Sequence, residues 1–314
     1  CLTSGRQVLV FLNRRGYAPV LSCPACGWVS ACPHCSVFMV YHKREKALIC
    51  HHCGARHSVP EACPSCGNVD ILPRGTGTER IEEELGLLFP ERTVLRIDRD
   101  SAAKKHAAEE AFQKVHRGEV DILVGTQMVA KGHDFQRVGL VVVLNPDAQI
   151  LSPSVRAKER LFFTLMQVAG RAGDRGEVLI QTRFPEEPLF AALAAQDYPM
   201  FADETLEERR ESGCVPFVYQ ALLTVEAEHL SEAISFLEQA AAIASQLAPP
   251  EVFIYDPVPM ALVKVMNRER AQLLVESSVR PILHRFLTVW NQALKTVPRS
   301  SSASVCLEVD PSET

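Results

Sequence analysis

The sequence predicts an α/β fold built on a parallel β-sheet, with a cysteine-rich insertion after the first strand and a small α+β domain at the end of the chain. Three observations support this prediction. Short apolar runs alternate with helical patterns over residues 1–184. Eight of the 11 cysteines form four Cys-x-x-Cys pairs between Cys23 and Cys66. From Pro216 onward the pattern changes to several short strands and two long helices.

The predicted parallel sheet depends on apolar runs of strand length in which polar residues do not alternate. Such runs are typical of strands that are buried on both faces. The predicted strands are Gln7–Asn13, Thr93–Ile97, Asp121–Val124, Leu140–Leu144 and Glu177–Gln181. The predicted helices are Glu79–Leu88, with Thr78 as its N-cap, then Lys104–Arg117 and Arg156–Gln167. Because strands and helices alternate, the pattern favours a parallel α/β sheet.

The insertion and the later change of pattern divide the chain into five predicted segments. They are residues 1–22, the start of the sheet domain; 23–68, the insertion; 69–184, the rest of the sheet domain; 185–212, a helical linker; and 213–314, the α+β domain. The last segment is predicted to contain strands Ala221–Ala227, Val252–Tyr255, Ala261–Met266, Ala271–Val275 and Val305–Val309, and helices Leu230–Leu247 and Val279–Leu294. A segment of about 100 residues can fold alone.

The cysteine pairs predict two structural zinc ions. A Cys-x-x-Cys turn points two thiolates at one centre, and two turns supply the four sulfur ligands that suit zinc. A disulfide framework belongs to small secreted chains, a redox motif explains one pair, and iron–sulfur proteins space cysteines differently. The predicted ligands are Cys23, Cys26, Cys32, Cys35, Cys50, Cys53, Cys63 and Cys66. Five nearby histidines are expected to be solvated or to hydrogen-bond around the thiolates.

Spacing alone does not decide which pairs share an ion, since four pairs can be combined in three ways. The symmetric layout favours a nested arrangement. In it, Cys23/Cys26 joins Cys63/Cys66 and encloses a site made by Cys32/Cys35 and Cys50/Cys53. The inner linker, residues 36–49, has two apolar runs around a charged tip and predicts a short hairpin.

Composition excludes several classes of protein. The apolar content is 47% and the charged content is 23%, which is ordinary for globular proteins. Apolar runs such as Leu140–Leu144 are far too short to span a membrane. Because the net charge is −5, any contact with DNA must come from local basic patches. The thiol content fits a reduced cytoplasm.

Two motifs after predicted strands carry the functional prediction. The first reads Thr126-x-x-x-Ala-Lys-Gly-His-Asp134, and the second reads Gln167-Val-Ala-Gly-Arg-Ala-Gly173. In this order they resemble motifs V and VI in the second RecA-like lobe of superfamily 2 helicases. A strand-end loop can offer N–H groups and a hydroxyl to a phosphate, and an arginine can neutralise a transferring γ-phosphate. A surface salt bridge is the alternative role for Arg171.

With the eight-cysteine insertion, the chain resembles the PriA family of bacterial replication-restart helicases (primosomal protein N′). The resemblance covers essentially the whole chain and includes VLVFLNRRGYAP, GTGTERIEEEL, LRIDRD and LEVDP. It implies an ATP-driven, Mg²⁺-dependent 3′→5′ DNA helicase, associated with the nucleoid in the cytoplasm. It also implies a C-terminal domain with an S10-like fold. The implied partners are branched and single-stranded DNA, primosome proteins, single-stranded-DNA-binding protein and the replicative helicase.

The resemblance assigns three groups of candidate residues. They are Gln167, Arg171 and Arg175 for ATP hydrolysis; Gly132, Asp134 and Gly170 for nucleotide binding; and Arg14, Thr126, Lys131 and Arg268 for DNA binding. Arg14 follows the first strand at the end where ligands sit in open α/β sheets, although a plain surface turn explains it equally well.

The sequence departs from the family pattern in three places. It contains no Walker A motif and no DExH box, which the family carries upstream, so we expect a C-terminal fragment without ATPase activity of its own. Asp174 follows Gly173 where the family has arginine, so either Arg175 takes that role or Arg171 acts alone. The stretch 264–270 has fewer basic residues than is usual, which predicts weaker DNA binding there. The alternative hypothesis is a non-catalytic, zinc-dependent nucleic-acid or protein-binding module with a degenerate RecA-like fold.

Overall fold

The computed structural model describes residues 1–13, 20–42, 46–50, 53–74, 78–98, 107–130, 135, 137–152, 154–173 and 176–312. Over these residues the chain divides into two compact units, residues 1–19 with 75–204 and residues 20–74 with 205–314.

The strands are β1 (Gln7–Leu12), β2 (Val20–Ser22), β3 (Val40–His42), β4 (Ala47–Ile49), β5 (Arg56–Ser58), β6 (Leu72–Arg74), β7 (Val94–Ile97), β8 (Ile122–Gly125), β9 (Val138–Leu144), β10 (Glu177–Gln181), β11 (Tyr219–Ala227), β12 (Val252–Ile254), β13 (Val258–Val265), β14 (Arg268–Ser277) and β15 (Ser304–Val309).

The helices of the described residues are α1 (Thr78–Leu88), α2 (Ala107–Arg117), α3 (Gln127–Ala130), α4 (Asp147–Ile150), α5 (Ala157–Ala169), α6 (Pro188–Ala195), α7 (Tyr198–Glu211), α8 (Leu230–Leu247) and α9 (Arg280–Leu294). In the described part of the chain, no helix combines the length and the apolar character needed to cross a membrane.

The first unit contains a five-stranded sheet in the order β10-β9-β1-β8-β7, and every pairing in it is parallel. β1 lies at the centre and is buried along its whole length, as its unalternating apolar sequence predicts. The parallel α/β sheet predicted from the sequence is therefore confirmed. Its five strands are the five that the apolar runs predict, with ends shifted by a few residues.

Helices pack against both faces of this sheet. On one face, residues of α2, α3, α5 and α6 share a core with Leu9, Phe11 and Leu123. On the other face, Ile81 and Leu85 of α1 pack beside Val8, Val10 and Val124 of the strands. The layers are those expected of a RecA-like lobe.

The predicted helical linker is two helices, and it does not behave as a free linker. Leu189, Ala192 and Leu193 of α6 are buried in the core of the sheet domain. Phe201 of α7 stacks on Phe162 with ring centroids 4.2 Å apart. The apolar run in this segment thus buries itself against α5 because it would otherwise be exposed to water.

The predicted N-cap role of Thr78 is wrong. Thr78 is the first residue of α1, and its Oγ1 donates a hydrogen bond to Asp98 Oδ2 at 2.5 Å. The same carboxylate oxygen accepts a bond from Arg96 Nη1 at 2.8 Å, and Arg96 Nε lies 3.2 Å from Glu82. The hydroxyl is therefore used to tie α1 to the end of β7, where burial strengthens the polar contacts.

The second unit holds the small C-terminal domain and the insertion. The domain's sheet has the order β12-β14-β11-β15, with β13 also paired to β14, and its pairings are antiparallel. α8 and α9 cover one face, where alternate residues of β11 and β14 are buried. The predicted α+β fold is confirmed, and its strands and helices match the sequence prediction apart from shifts at their ends.

The insertion contains two small antiparallel sheets. β2 pairs with β6, so its entry and exit are hydrogen-bonded to each other. β3 and β4 form the hairpin that the linker sequence predicts, although its tip, residues 43–45, lies outside the described residues. β5 adds a third strand to this hairpin, which the sequence did not predict.

We expect Trp290→Ala to destabilise the C-terminal domain by about 3–5 kcal/mol, because it removes a fully buried side chain. Trp290 Nε1 also donates to the Ala240 carbonyl at 3.0 Å, which would be left without that donor. The matched control is the neighbouring Val289→Ala, since Val289 is 52% exposed and should change stability by less than about 0.5 kcal/mol. Calorimetric unfolding of the chain measures both. Equal midpoints for the two variants would contradict this packing.

Candidate metal centres and strand-end loops

Each cysteine pair lies on a tight turn whose backbone aims two sulfurs in one direction. In three turns the residue after the second cysteine is glycine with φ of 75°, namely Gly27, Gly54 and Gly67. This left-handed conformation suits glycine because it has no Cβ. The glycine N–H closes the turn by donating to the carbonyl of the first cysteine at 2.8–2.9 Å.

The eight thiols form two clusters of four. In the first, here called the outer centre, the sulfurs belong to Cys23, Cys26, Cys63 and Cys66. In the second, the inner centre, they belong to Cys32, Cys35, Cys50 and Cys53. All four sulfurs of each cluster lie within 4.8 Å of one another. The nested pairing favoured from the sequence is confirmed.

The geometry of both clusters fits zinc. A zinc–sulfur bond of about 2.3 Å implies sulfur–sulfur separations of about 3.8 Å in a tetrahedron. Across the outer centre, Cys23 and Cys66 sulfurs are 3.6 Å apart, as are those of Cys26 and Cys63. Across the inner centre, the Cys32 and Cys53 sulfurs are 3.7 Å apart. The two clusters of four cysteines therefore fit two zinc ions.

Their surroundings shift the pKa values of two inner thiols in opposite directions. The backbone N–H of Ala55 lowers the pKa of Cys53 to about 7. Burial raises the pKa of Cys32 to about 12, and the neighbouring Cys50 and Cys53 thiols act in the same direction. Four thiolates this close repel one another, so a divalent cation is needed to hold all four ionised.

The two centres have different surroundings. In the outer centre, Cys26 and Cys66 are exposed, and the Asn68 side-chain amide lies 3.7 Å from the Cys23 sulfur. The inner centre packs into a small core with Leu21, Met39 and Leu48. His34, His42 and His57 belong to neither cluster, while His51 and His52 lie outside the described residues.

The first predicted motif starts where β8 ends. Thr126 follows Gly125, and its carbonyl accepts a hydrogen bond from Val129 N at 3.0 Å, which begins α3. Gly125 is required there, because a Cβ would lie 2.5 Å from Val129 Cγ1 and 2.8 Å from the Ile97 carbonyl oxygen. Other predicted residues on this edge, Arg14, Lys131, Gly132 and Asp134, lie outside the described residues.

The second predicted motif lies at the end of α5 and contacts the first. Arg171 sits in a 3₁₀ turn formed by Gly170–Ala172, and its Nη2 donates to the Ala130 carbonyl at 2.7 Å. Gln167 and Gly170 are exposed beside it. Gly176 is required because a Cβ would collide with the Ala172 carbonyl oxygen. Arg175 lies outside the described residues.

Arg268, a candidate DNA contact, lies against the C-terminal sheet. Its Nη2 donates to the Glu226 carbonyl at 2.7 Å and also to the Ser302 carbonyl. Two backbone carbonyls thus hold this guanidinium against the C-terminal sheet. These bonds fix the position of Arg268, and the DNA contact that the sequence suggests for it stays a prediction.

Sequence reasoning missed the residues outside the cysteine pairs that touch the thiols. Asn68 is one, and the turn at Met266 and Asn267 near the inner centre is another. Asn68 could have been found because it follows directly after a Cys-Gly pair. The turn could have been found because Asn267 lies between two predicted strands, and asparagine favours tight turns.

We expect two zinc ions per chain in reduced protein, with Cys50→Ser and Cys63→Ser each retaining one. Each substitution removes a ligand from a different centre. Cys306→Ser is the matched control, because this exposed cysteine is in neither cluster and should leave two ions. Elemental analysis by mass spectrometry measures the stoichiometry. A wild-type value near zero, or the loss of both ions in each ligand variant, would contradict two independent centres.

Three family models match the chain. Residues 32–57 match the PriA DNA helicase Cys-rich region domain. Residues 76–176 match the helicase conserved C-terminal domain, and residues 210–312 match the primosomal protein N C-terminal domain. These matches fall on the inner centre, the parallel-sheet domain and the α+β domain.

The chain is also similar to curated proteins named replication restart protein PriA. It is 42% identical to the Haemophilus influenzae protein over 99% of this chain and 43% of that protein. It is 36% identical to the Bacillus subtilis protein over 94% of this chain and 37% of that protein, and 35% identical to the Rickettsia felis protein over 99% and 48%. The chain thus spans less than half the length of these relatives. The three domain matches and these identities show that the chain belongs to the PriA family of replication restart helicases.

Proposed function

We propose that this chain supplies the second motor lobe, the zinc module and the C-terminal domain of an ATP-dependent 3′→5′ DNA helicase of replication restart. The observation that supports it most directly is the contact between the two strand-end motifs. Arg171 donates to the Ala130 carbonyl, so the motif V and VI loops meet at one place in the parallel-sheet domain. Family membership provides the context in which that arrangement serves a motor.

Arg171 is the proposed arginine finger. In phosphoryl transfer an arginine stabilises the charge that develops on the γ-phosphate, while a Walker A loop and an acidic box hold the phosphates and Mg²⁺. This sequence has neither of the last two, so ATP and Mg²⁺ would be held mainly by another part of the full-length protein. The chain alone would then lack ATPase activity. Gln167, Gly170, Gly132, Asp134 and Arg175 complete the proposed nucleotide side.

Thr126 is the proposed phosphate contact on the DNA side. Its hydroxyl lies just after β8, beside the start of α3, where backbone N–H groups and a hydroxyl can hold a DNA phosphate. Lys131 and Arg14 would add positive charge along the same edge. Since the chain carries a net charge of −5, local contacts of this kind must hold branched and single-stranded DNA.

The zinc ions would have a structural role. Each proposed site has four thiol ligands, which leaves no open position for a catalytic water. The zinc module would therefore act as a rigid platform for strand handling and for primosome proteins, single-stranded-DNA-binding protein and the replicative helicase.

In the full-length enzyme, we expect Arg171→Ala to lower DNA-stimulated ATP turnover by about 10³-fold or more, the usual contribution of an arginine finger. Arg171→Lys should recover little, because an ammonium group lacks the planar fork of a guanidinium. Steady-state phosphate release measures turnover, and DNA binding by fluorescence anisotropy should persist.

Arg117→Ala is the matched control, because this exposed arginine pairs with Glu119 beyond the end of α2. It should leave turnover unchanged. Arg175→Ala tests the second assignment on the same assay, and unchanged turnover there would leave Arg171 acting alone. Wild-type turnover in a folded Arg171→Ala enzyme would refute the proposed finger.

A further inference from the structure

One of the four cysteine turns is built differently from the other three. Cys35 is followed by Ser36, where the other turns have glycine. In the glycine turns, the N–H after the second cysteine donates to the carbonyl of the first cysteine of the same turn. The Ser36 N–H instead donates to the carbonyl of Lys264 at 2.8 Å, in a distant part of the chain. The turn keeps its other local bond, from Cys32 N to the Val37 carbonyl at 2.9 Å, but the N–H that follows its second cysteine bonds to the C-terminal domain.

The partner segment is the tip of the β13–β14 hairpin, residues 264–267. Met266 and Asn267 connect the two strands and have φ values of 49° and 64°. Positive φ at both central residues is the conformation of a tight two-residue hairpin turn. This geometry turns successive backbone N–H groups outward, toward residues 34–36 of the insertion.

The hairpin tip and the cysteine turn are joined by several hydrogen bonds. Lys264 N donates to Ser36 Oγ at 2.9 Å, which makes a reciprocal pair with the bond from Ser36 N. Asn267 N donates to the His34 carbonyl at 2.9 Å, and the Asn267 Oδ1 lies 2.9 Å from His34 Nδ1. Val265 packs against the small core around the inner centre.

One contact reaches a candidate ligand directly. Met266 N lies 3.5 Å from Cys35 Sγ and donates to it. A donor to a ligating thiolate spreads its negative charge and fixes its orientation, and loss of such a partner typically lowers metal affinity about 10–100-fold. The outer centre has no equivalent contact from the C-terminal domain among the described hydrogen bonds; its thiol Cys23 faces Asn68 of the insertion itself.

We propose that the tip of the β13–β14 hairpin is part of the inner zinc site, with the Met266 N–H donating to the Cys35 thiolate. Zinc binding at the inner centre and docking of the hairpin then favour the same arrangement of the Cys35 turn. The two events are therefore thermodynamically linked, and each stabilises the other. The outer centre is independent of the hairpin. This inference concerns the zinc site alone and does not depend on the helicase activity.

The test compares two substitutions at Met266 in the complete chain. Met266→Pro removes the N–H and cannot adopt the positive φ, because the proline ring fixes φ near about −65°. Met266→Gly is the matched control, since glycine keeps the N–H and accepts positive φ. Each is combined with Cys63→Ser, which leaves zinc at the inner centre, or with Cys50→Ser, which leaves it at the outer centre. The rate of zinc transfer to a chromogenic chelator is then measured.

We expect Met266→Pro to speed zinc release from the inner centre by about 10–100-fold and to leave the outer centre unchanged. Met266→Gly should match the parent at both centres. The inference is overturned if Met266→Pro releases inner zinc at the parental rate, or if it accelerates both centres equally. If either cysteine variant folds poorly, the two phases of zinc release from protein that keeps all eight ligand cysteines provide the same comparison.

A second measurement tests the reverse direction of the linkage. Hydrogen exchange at the Lys264, Met266 and Asn267 amides should be faster in Cys50→Ser than in Cys63→Ser. Amides of β11, in the core of the C-terminal domain, should stay protected in both variants. Equal exchange at the hairpin tip in the two variants would contradict the proposed coupling.

Discussion

The confinement of four thiolates within 4.8 Å at each centre is the constraint on which the insertion depends. Its apolar core is small, with Leu21, Met39 and Leu48 buried beside the cysteines themselves. Ordering a backbone costs about 1–2 kcal/mol per residue, which so small a core cannot offset over residues 20–74. Zinc binding contributes about 10–16 kcal/mol per ion in small zinc peptides, so two ions would add substantially to the stability of the insertion. The same bonds bring Cys23 and Cys66 together, close to where β2 and β6 pair.

The sheet domain follows a different constraint, the burial of its inner strands β1 and β8 on both faces. Its unalternating apolar runs made the parallel sheet predictable, and the symmetry of the cysteine pairs made the nested pairing predictable. What failed was a local assignment made without knowledge of a distant partner, the N-cap role of Thr78. Thr78 has the residue type of an N-cap, yet Asp98, 20 residues away, takes its hydroxyl.

Arg171 illustrates why motif spacing predicts more than single residues do. Its side chain crosses to Ala130, so the position of the guanidinium depends on α3 as well as on its own turn. Gly125 and Gly176 lie beside these two motifs, and a Cβ at either position would collide with a neighbouring residue. The bond joins the loop that carries Arg171 to the loop that begins at Thr126, so the two predicted motifs contact each other.

The turn at Cys35 lacks the glycine that follows the second cysteine in the other three turns. Glycine lets a cysteine turn close on itself, and three of the turns do so. Ser36 gives up that local bond and exchanges two bonds with Lys264 instead. A self-contained turn would have cost less chain entropy, because Lys264 is far away in the sequence. We infer that this exchange of hydrogen bonds couples the inner centre to the C-terminal domain, in addition to shaping a site for an ion. Both turns of the outer centre close on their own glycines, so the two centres differ in how their turns are closed although they share the same type of ligand.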